Sequence, residues 1–275
     1  MKKWKCFSVI LLILILACGC SDKAQKEEKE DWVLKEVDKY NNESIRQIDI
    51  EEDKETSSGE MVKDQTVILD QTNKLVYIHM LIKGPGDEQE EYTNFLGIDD
   101  SQAFNIYKYG SQGEYSKTTD ITEDSVNDYL NGRKLVFSEE AEIKIIGEDK
   151  INNKKTIKVE VKDPDFQRLQ DKEEYKEMIK EAKASDKEEY QKEYDKYMEL
   201  KEKSWTLWFT KDSHKLERVS YDNSVEEAFE LYLLQTQDFD STIMDQKPIK
   251  GTTTWNIKMG DESDKILLPE VSQNN

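Results

Sequence analysis

Two periods alternate along the chain. Trp32, Val33, Val37 and Tyr40 recur at helical spacing, which predicts a short helix between Asp31 and Tyr40. From Ile45 to Ile82 the period falls to two. Ile48 with Ile50, Val67 with Leu69, and then Val76, Ile78, Met80 and Ile82 alternate with their neighbours, and Asp70-Gln71-Thr72-Asn73 supplies a turn. Half-buried strands are expected there. Gly84-Pro85-Gly86-Asp87 predicts another turn, followed by strands at Tyr92 to Leu96 and Phe104 to Tyr109. Asp120-Ile121-Thr122-Glu123 has capping-box spacing ahead of Val126, Tyr129 and Leu130, so a short helix is predicted to start there. Alternation returns at Ala141, Ile143 and Ile145 and at Ile157, Val159 and Val161, with Asn152-Asn153 as a hairpin turn between them.

From Asp165 to Lys203 the composition shifts to Lys, Glu, Asp, Gln and Tyr. Apolar groups there follow helical spacing at Phe166, Leu169 and then Tyr175, Met178, Ile179 and Ala182, and again at Tyr190, Tyr194, Tyr197 and Met198. Ser185-Asp186-Lys187-Glu188 reads as a capping box that restarts the helix, and Glu188 with Lys192 and Glu199 with Lys203 stand four apart as ion pairs. Strand character resumes at Trp205 to Phe209, turns at Lys211 to His214, and continues from Leu216 to Tyr221. Ser224-Val225-Glu226-Glu227 has capping-box spacing before an apolar helix, and Trp255, Ile257 and Met259 alternate near the end. Trp205, Leu207 and Phe209 share one strand face, and Thr206, Trp208 and Thr210 the other. The pattern implies an α+β chain built on an antiparallel sheet with one solvated face.

Ahead of this domain the chain opens Met1-Lys2-Lys3-Trp4-Lys5 and runs apolar from Phe7 to Ala17, broken only by Ser8. A basic start and a run too short to span a bilayer predict a signal peptide over residues 1–17. Ile15-Leu16-Ala17-Cys18-Gly19-Cys20 then places a small residue directly before a cysteine twice. This resembles the lipobox of bacterial lipoproteins, which implies lipidation at Cys18, with Cys20 as the alternative, and a membrane anchor on the extracytoplasmic face. Residues 18–30 form the anchor and a polar tether, since Ser21 to Glu30 holds no apolar residue except Ala24.

Charge narrows the functional classes. Formal net charge is −20, and −23 once the first 17 residues with Lys2, Lys3 and Lys5 are set aside. Such a surface repels nucleic acid, which is excluded as a partner. His79 and His214 stand near no other metal-ligand type at a recognised spacing, so no metal site, cofactor or catalytic triad is expected. Asp163 near Asp165, and Asp238 with Asp240, fit no acid-base or EF-hand pattern and read as polar loops.

The block Trp205-Thr206-Leu207-Trp208-Phe209-Thr210-Lys211-Asp212-Ser213-His214-Lys215-Leu216-Glu217-Arg218-Val219 is similar to the strand, turn and strand of lipoproteins of the LolA and LppX-like superfamily. Ile266-Leu267-Leu268-Pro269-Glu270-Val271 resembles their closing segment. The resemblance implies that residues 31–275 form an incomplete, strongly curved antiparallel barrel with packed helices, interrupted by a charged helical insertion at about 165–203. It implies a non-enzymatic protein binding an apolar or amphiphilic, lipid-like ligand, for which Trp205, Leu207, Phe209, Trp255, Ile257, Phe104 and Ile106 are the candidate lining residues. The insertion departs from the compact pattern. It is either a solvated helical excursion or an arm by which a cell-envelope interaction or sensing protein holds a basic partner.

Overall fold

A computed structural model describes residues 31–56, 58–84, 89–98, 104–109, 115–118, 122–172, 175–236, 248–264 and 266. Helix α1, residues 31–42, leads into a meander of β1 (Ile45–Thr56), β2 (Gly59–Asp70), β3 (Leu75–Lys83), β4 (Gln89–Ile98), β5 (Phe104–Tyr109) and β6 (Tyr115–Thr118). Helix α2 (Glu123–Asn131) follows, then the hairpin β7 (Glu142–Ile151) and β8 (Lys154–Asp163). Next come α3 (Lys176–Ser185) and α4 (Lys187–Met198), the hairpin β9 (Lys203–Thr210) and β10 (Leu216–Asp222), α5 (Ser224–Gln235) and the last strand, β11 (Pro248–Met259). The predicted Asn152-Asn153 turn is met in detail. Both residues have positive φ, 49° and 66°, the left-handed pair that a two-residue hairpin loop requires.

All eleven strands form one antiparallel sheet in the order β6-β5-β4-β3-β2-β1-β11-β10-β9-β8-β7, so the last strand closes onto the first. The sheet is curved and does not close into a barrel. Its edges are β6 and β7. On β7 the pairing with β8 slips between Ile145 and Gly147, skipping Ile146, and both isoleucines are exposed.

Register explains the core. Ile50 pairs with Trp255, Trp255 with Val219, Val219 with Leu207, and Leu207 with Val159. Paired residues share a face, so these five buried side chains form one transverse row on the inner face of five neighbouring strands. Val33, Val37 and Tyr40 of α1 and Val126 and Leu130 of α2 complete this core from above. On the outer face, Trp208 donates Nε1–H to Asp149 (3.1 Å) and lies 5.2 Å from the Lys158 ammonium and 6.0 Å from the Arg218 guanidinium. Trp208 is itself buried, as are Gln47 and Ile68 on the same face, so that face is less solvated than the alternation predicts.

Helices α3, α4 and α5 enclose a second, separate core of Leu169, Ala182, Tyr190, Tyr197, Phe229, Tyr232 and Leu233. Tyr197 stacks on Phe229 at 4.8 Å between centroids and 10° between planes. The insertion is therefore not solvated throughout, because its inner tyrosines are buried against α5.

Two predicted caps fall elsewhere. Ser185 ends α3 and donates to the Ala182 carbonyl (3.0 Å), while Asp186 caps α4 by accepting from Glu188 N (3.1 Å) and Glu189 N (3.0 Å). Asn223, not Ser224, stands at the cap position of α5. Nor is Lys203 the helical partner of Glu199. Helix α4 stops at Met198, and Lys203 opens β9, where it bonds Glu226 (2.5 Å). The Asp120-Ile121 cap start, Pro85 to Asp87, Asp238 with Asp240, and the closing segment after Ile266 lie outside the described residues.

Helix α5 is seated by charges that share the inner face with Ile48 and Ile50. Glu52 and Lys54 continue the β1 alternation, and Lys54 bonds Glu227 of α5 and pairs with Glu52 at 3.0 Å, while Lys63 pairs with Glu52 at 3.2 Å. Burial alone would raise the Glu52 carboxyl, but Lys63 and Lys54 together hold it below its ordinary range. Burial would likewise lower Lys54, and Glu227 and Glu52 hold it above its ordinary range. Beside this cluster Ser224 Oγ accepts from Gly251 N (2.6 Å). A side chain at Gly251 would meet Asn223 Oδ1 at 3.1 Å, so a glycine in mid-strand is what lets the helix start approach the sheet.

Candidate functional site

A cavity of about 840 Å³ opens over the inner face between α5, residues 131–138 and residues 163–172. Its floor is Trp205 and Trp255, and its walls are Phe137, Phe166 and Tyr221. The aromatic groups brace one another: Phe137 meets Trp205 edge-on at 5.1 Å and Tyr221 meets Trp255 edge-on at 5.8 Å. Lys203 spans Trp205 and Tyr221, its ammonium 5.5 and 5.2 Å from their ring centroids, while bonded to Glu226. Burial pushes the Tyr221 phenol up to about 12, so it faces the cavity as a neutral hydroxyl.

Acidic groups at the rim are largely committed. Asp163, almost fully buried, accepts from Ser138 N (2.8 Å), Ser138 Oγ (2.5 Å) and Asp165 N (3.0 Å), fastening the wall to the end of β8. This gives Asp163 a structural task. On the opposite wall Arg168 lies 4.6 Å over the Phe166 ring and donates to the Leu200 carbonyl (2.8 Å).

Trp205 and Trp255 are thus brought together at the cavity. Leu207, Phe209 and Ile257 lie in the core behind them, Phe209 edge-on to Trp32 of α1 at 4.9 Å. Ile106 packs half-buried on the same core from the other half of the sheet, and the Phe104 side chain lies outside the described residues. Phe137, Phe166, Tyr221 and Arg133 line the cavity without having been singled out from sequence. The first two sit in irregular segments; the helical spacing expected from Phe166 is not met, since α3 begins only at Lys176.

A smaller cavity of about 270 Å³ lies between α2 and strands β2 and β3, lined by Gln65, Val67, Ile78 and Tyr129, and it shares Gly132 and Arg133 with the larger one. A groove of about 600 Å³ on the outer face is polar, with Lys154 bonded to Glu217 (2.9 Å) and Arg218 to Asn256 (2.8 Å) along it. It has no aromatic floor. His79 bonds Thr93 Oγ1 (3.0 Å), and His214 stacks on Trp32 at 4.3 Å. Among the described residues no three His, Cys, Asp or Glu side chains are placed to hold a metal ion, and no helix is long and apolar enough to cross a membrane.

No family model and no curated protein matches the sequence. Solved structures do. The chain is similar to LprF from Mycobacterium bovis, with 10% identity over 89% of this chain and 97% of that one at a TM-score of 0.44. It is similar to the lipoprotein LppX from Mycobacterium tuberculosis, with 10% identity over 83% and 94% at 0.39. A putative outer membrane lipoprotein-sorting protein domain from Vibrio parahaemolyticus shows 9% identity over 86% and 95% at 0.28.

Proposed function

We propose that this chain is a non-enzymatic binding protein that holds an apolar or amphiphilic ligand over the inner face of its sheet, and that it is anchored to the extracytoplasmic face of a membrane through Cys18 or Cys20. The single observation that carries the binding reading is the 840 Å³ cavity with an aromatic floor and a polar rim. Its volume falls within the range of about 300–1,000 Å³ in which proteins enclose small ligands. Apolar surface covered there stabilises a complex by about 25 cal/mol per Å². Committed carboxylates and structurally occupied histidines support the non-enzymatic part, and the basic start, apolar run and paired cysteines of residues 1–20 support the anchor.

Every contact described above lies between residues 31 and 266, so a chain begun at Ser21 carries the whole fold without the anchor cysteines. Native mass spectrometry of that chain, purified from bacteria without detergent, is expected to show a copurifying lipid-sized mass that Trp205→Ala depletes. A clean apo mass that also refuses added lipids would end the binding reading. Labelling of the full chain with a fatty-acid probe is expected to be lost in Cys18→Ser; loss in Cys20→Ser instead would move the anchor by two residues.

A further inference from the structure

The chain has four arginines in a surplus of acid, and three are spent on the fold. Arg46, fully buried, donates to the Leu130 carbonyl (2.6 Å); Arg168 donates to Leu200; Arg218 donates to Asn256. Among the described residues the Arg133 guanidinium has no hydrogen-bond or ion-pair partner, and Arg133 lines both inner-face cavities.

Its backbone, by contrast, is pinned. The Arg133 carbonyl accepts from Tyr40 Oη (2.6 Å) and Arg46 Nη1 (3.5 Å). Two residues on, Asn41 of α1 receives Leu135 N–H (2.8 Å) and donates to the Leu135 carbonyl (2.7 Å). Two elements, α1 and β1, therefore fix where residue 133 stands, while its charge is left for something that is not protein. A guanidinium offers a planar fork of donors matched to carboxylate or phosphate oxygens. Of the carboxylates lining the same cavity, Asp163 is engaged with Ser138, Glu226 with Lys203 and Asp171 with the Arg168 amide (3.3 Å), which leaves Asp165, turned to solvent, as the acidic competitor. Lys134, also on the lining, adds positive charge next door.

Resting on the proposed binding function, we infer that Arg133 is the headgroup anchor of the cavity and that the ligand is an anionic amphiphile, its acidic oxygens on Arg133 and its chain along the Trp205 and Trp255 floor. The shared chemistry is an anionic oxygen head, carboxylate or phosphate. An arginine on the lining of this cavity selects by head charge, whereas the aromatic floor accepts any chain.

The test uses three probes with one oleoyl chain: oleate, oleoyl lysophosphatidate and uncharged monooleoylglycerol, titrated by tryptophan fluorescence into the chain begun at Ser21. Both anions are expected to bind about tenfold more tightly than monooleoylglycerol, the scale of one charge-assisted hydrogen bond. Arg133→Gln is expected to erase that ratio while leaving monooleoylglycerol affinity and the melting temperature unchanged, and Arg133→Lys to retain part of it. A preference for one anion alone names the head as carboxylate or phosphate. Equal binding of all three probes, or an unchanged ratio in Arg133→Gln, overturns the anchor and leaves the binding function standing. Refusal of all three overturns both.

Discussion

Across β8 to β11 the row Val159, Leu207, Val219 and Trp255 is aligned by strand register, whereas in α3 to α5 Tyr190, Tyr197, Phe229 and Tyr232 meet only through their rings. In the first region backbone hydrogen bonds decide which side chains are neighbours before any of them packs. In the second each helix aligns its own residues, such as Phe229 with Tyr232, and only the side chains decide how one helix meets the next. The helical annexe joins the sheet at few points, among them Lys54 to Glu227, Lys203 to Glu226 and Ser224 to Gly251. Regions with few such links open locally at lower free energy than the core.

The sharpest way to break this comparison is a matched pair of truncations. Phe209→Ala and Phe229→Ala each empty a fully packed site and are expected to cost about 3–5 kcal/mol. Phe209→Ala should lower one cooperative transition for the whole molecule. Phe229→Ala should split it, with amide exchange rising in α3 to α5 while β8 to β11 stay protected. A single shared transition in both variants would show that the annexe and the sheet are one cooperative unit.

Next in size is Lys54→Ala, which leaves Glu227 without its paired cation beside a Glu52 held by Lys63 alone. About 3 kcal/mol is expected, at the lower end of the cost of breaking a buried pair because the carboxylates keep some solvent. Chemical denaturation measures it, and exchange should rise first at α5. Acid acts on the same cluster. Glu52 sits below its ordinary range, so its contribution is present above that range and is lost as pH falls through the depressed value. Lys54 sits above its range, so its contribution is present at neutral pH and is lost only as pH rises past the ordinary lysine value. Glu52→Gln should therefore flatten the acid limb of a stability profile and make the alkaline limb shallower, because Lys54 then keeps Glu227 alone. Smallest is Asp186→Ala, expected to cost about 1 kcal/mol by removing the α4 cap, visible as fraying of α4 in exchange.

The same contrast decides what could be read from the chain. Strands announced themselves because Ile48, Ile50, Val159 and Val161 alternate with polar residues and Trp205 and Leu207 flank Thr206, the main core lying on one face of the sheet. On β1 the rule stops being visible after Ile50, since Glu52 and Lys54 occupy inner-face positions that the pattern reads as surface. Strand β6 escaped notice because Tyr-Ser-Lys-Thr is four residues long and lacks an aliphatic pair. The caps at Ser185 and Ser224 were misplaced because an acidic or amide residue beside each serine took the position. In the insertion, 13 Asp and Glu alternate with 10 Lys and Arg, so its charges nearly cancel and carry little field toward a basic partner. Of the site, Trp205 and Trp255 were legible as aromatic positions on strands. Arg133 was not, because its meaning lies in the hydrogen bonds it does not make, and spacing says nothing of those.

One rim of the sheet has a bearing on how copies of the chain tolerate one another. An open sheet ends in a strand whose outer amides and carbonyls can template a neighbour's strand. On a surface that crowds molecules side by side, as the proposed anchor would, that invitation is renewed at every collision. The skipped Ile146 on β7 breaks the hydrogen-bond repeat, and Lys144, Glu148, Asp149 and Lys150 surround the break with charge of both signs. A visiting strand would find neither a continuous ladder nor a dry face. This irregularity guards the β7 rim against the addition of a further strand.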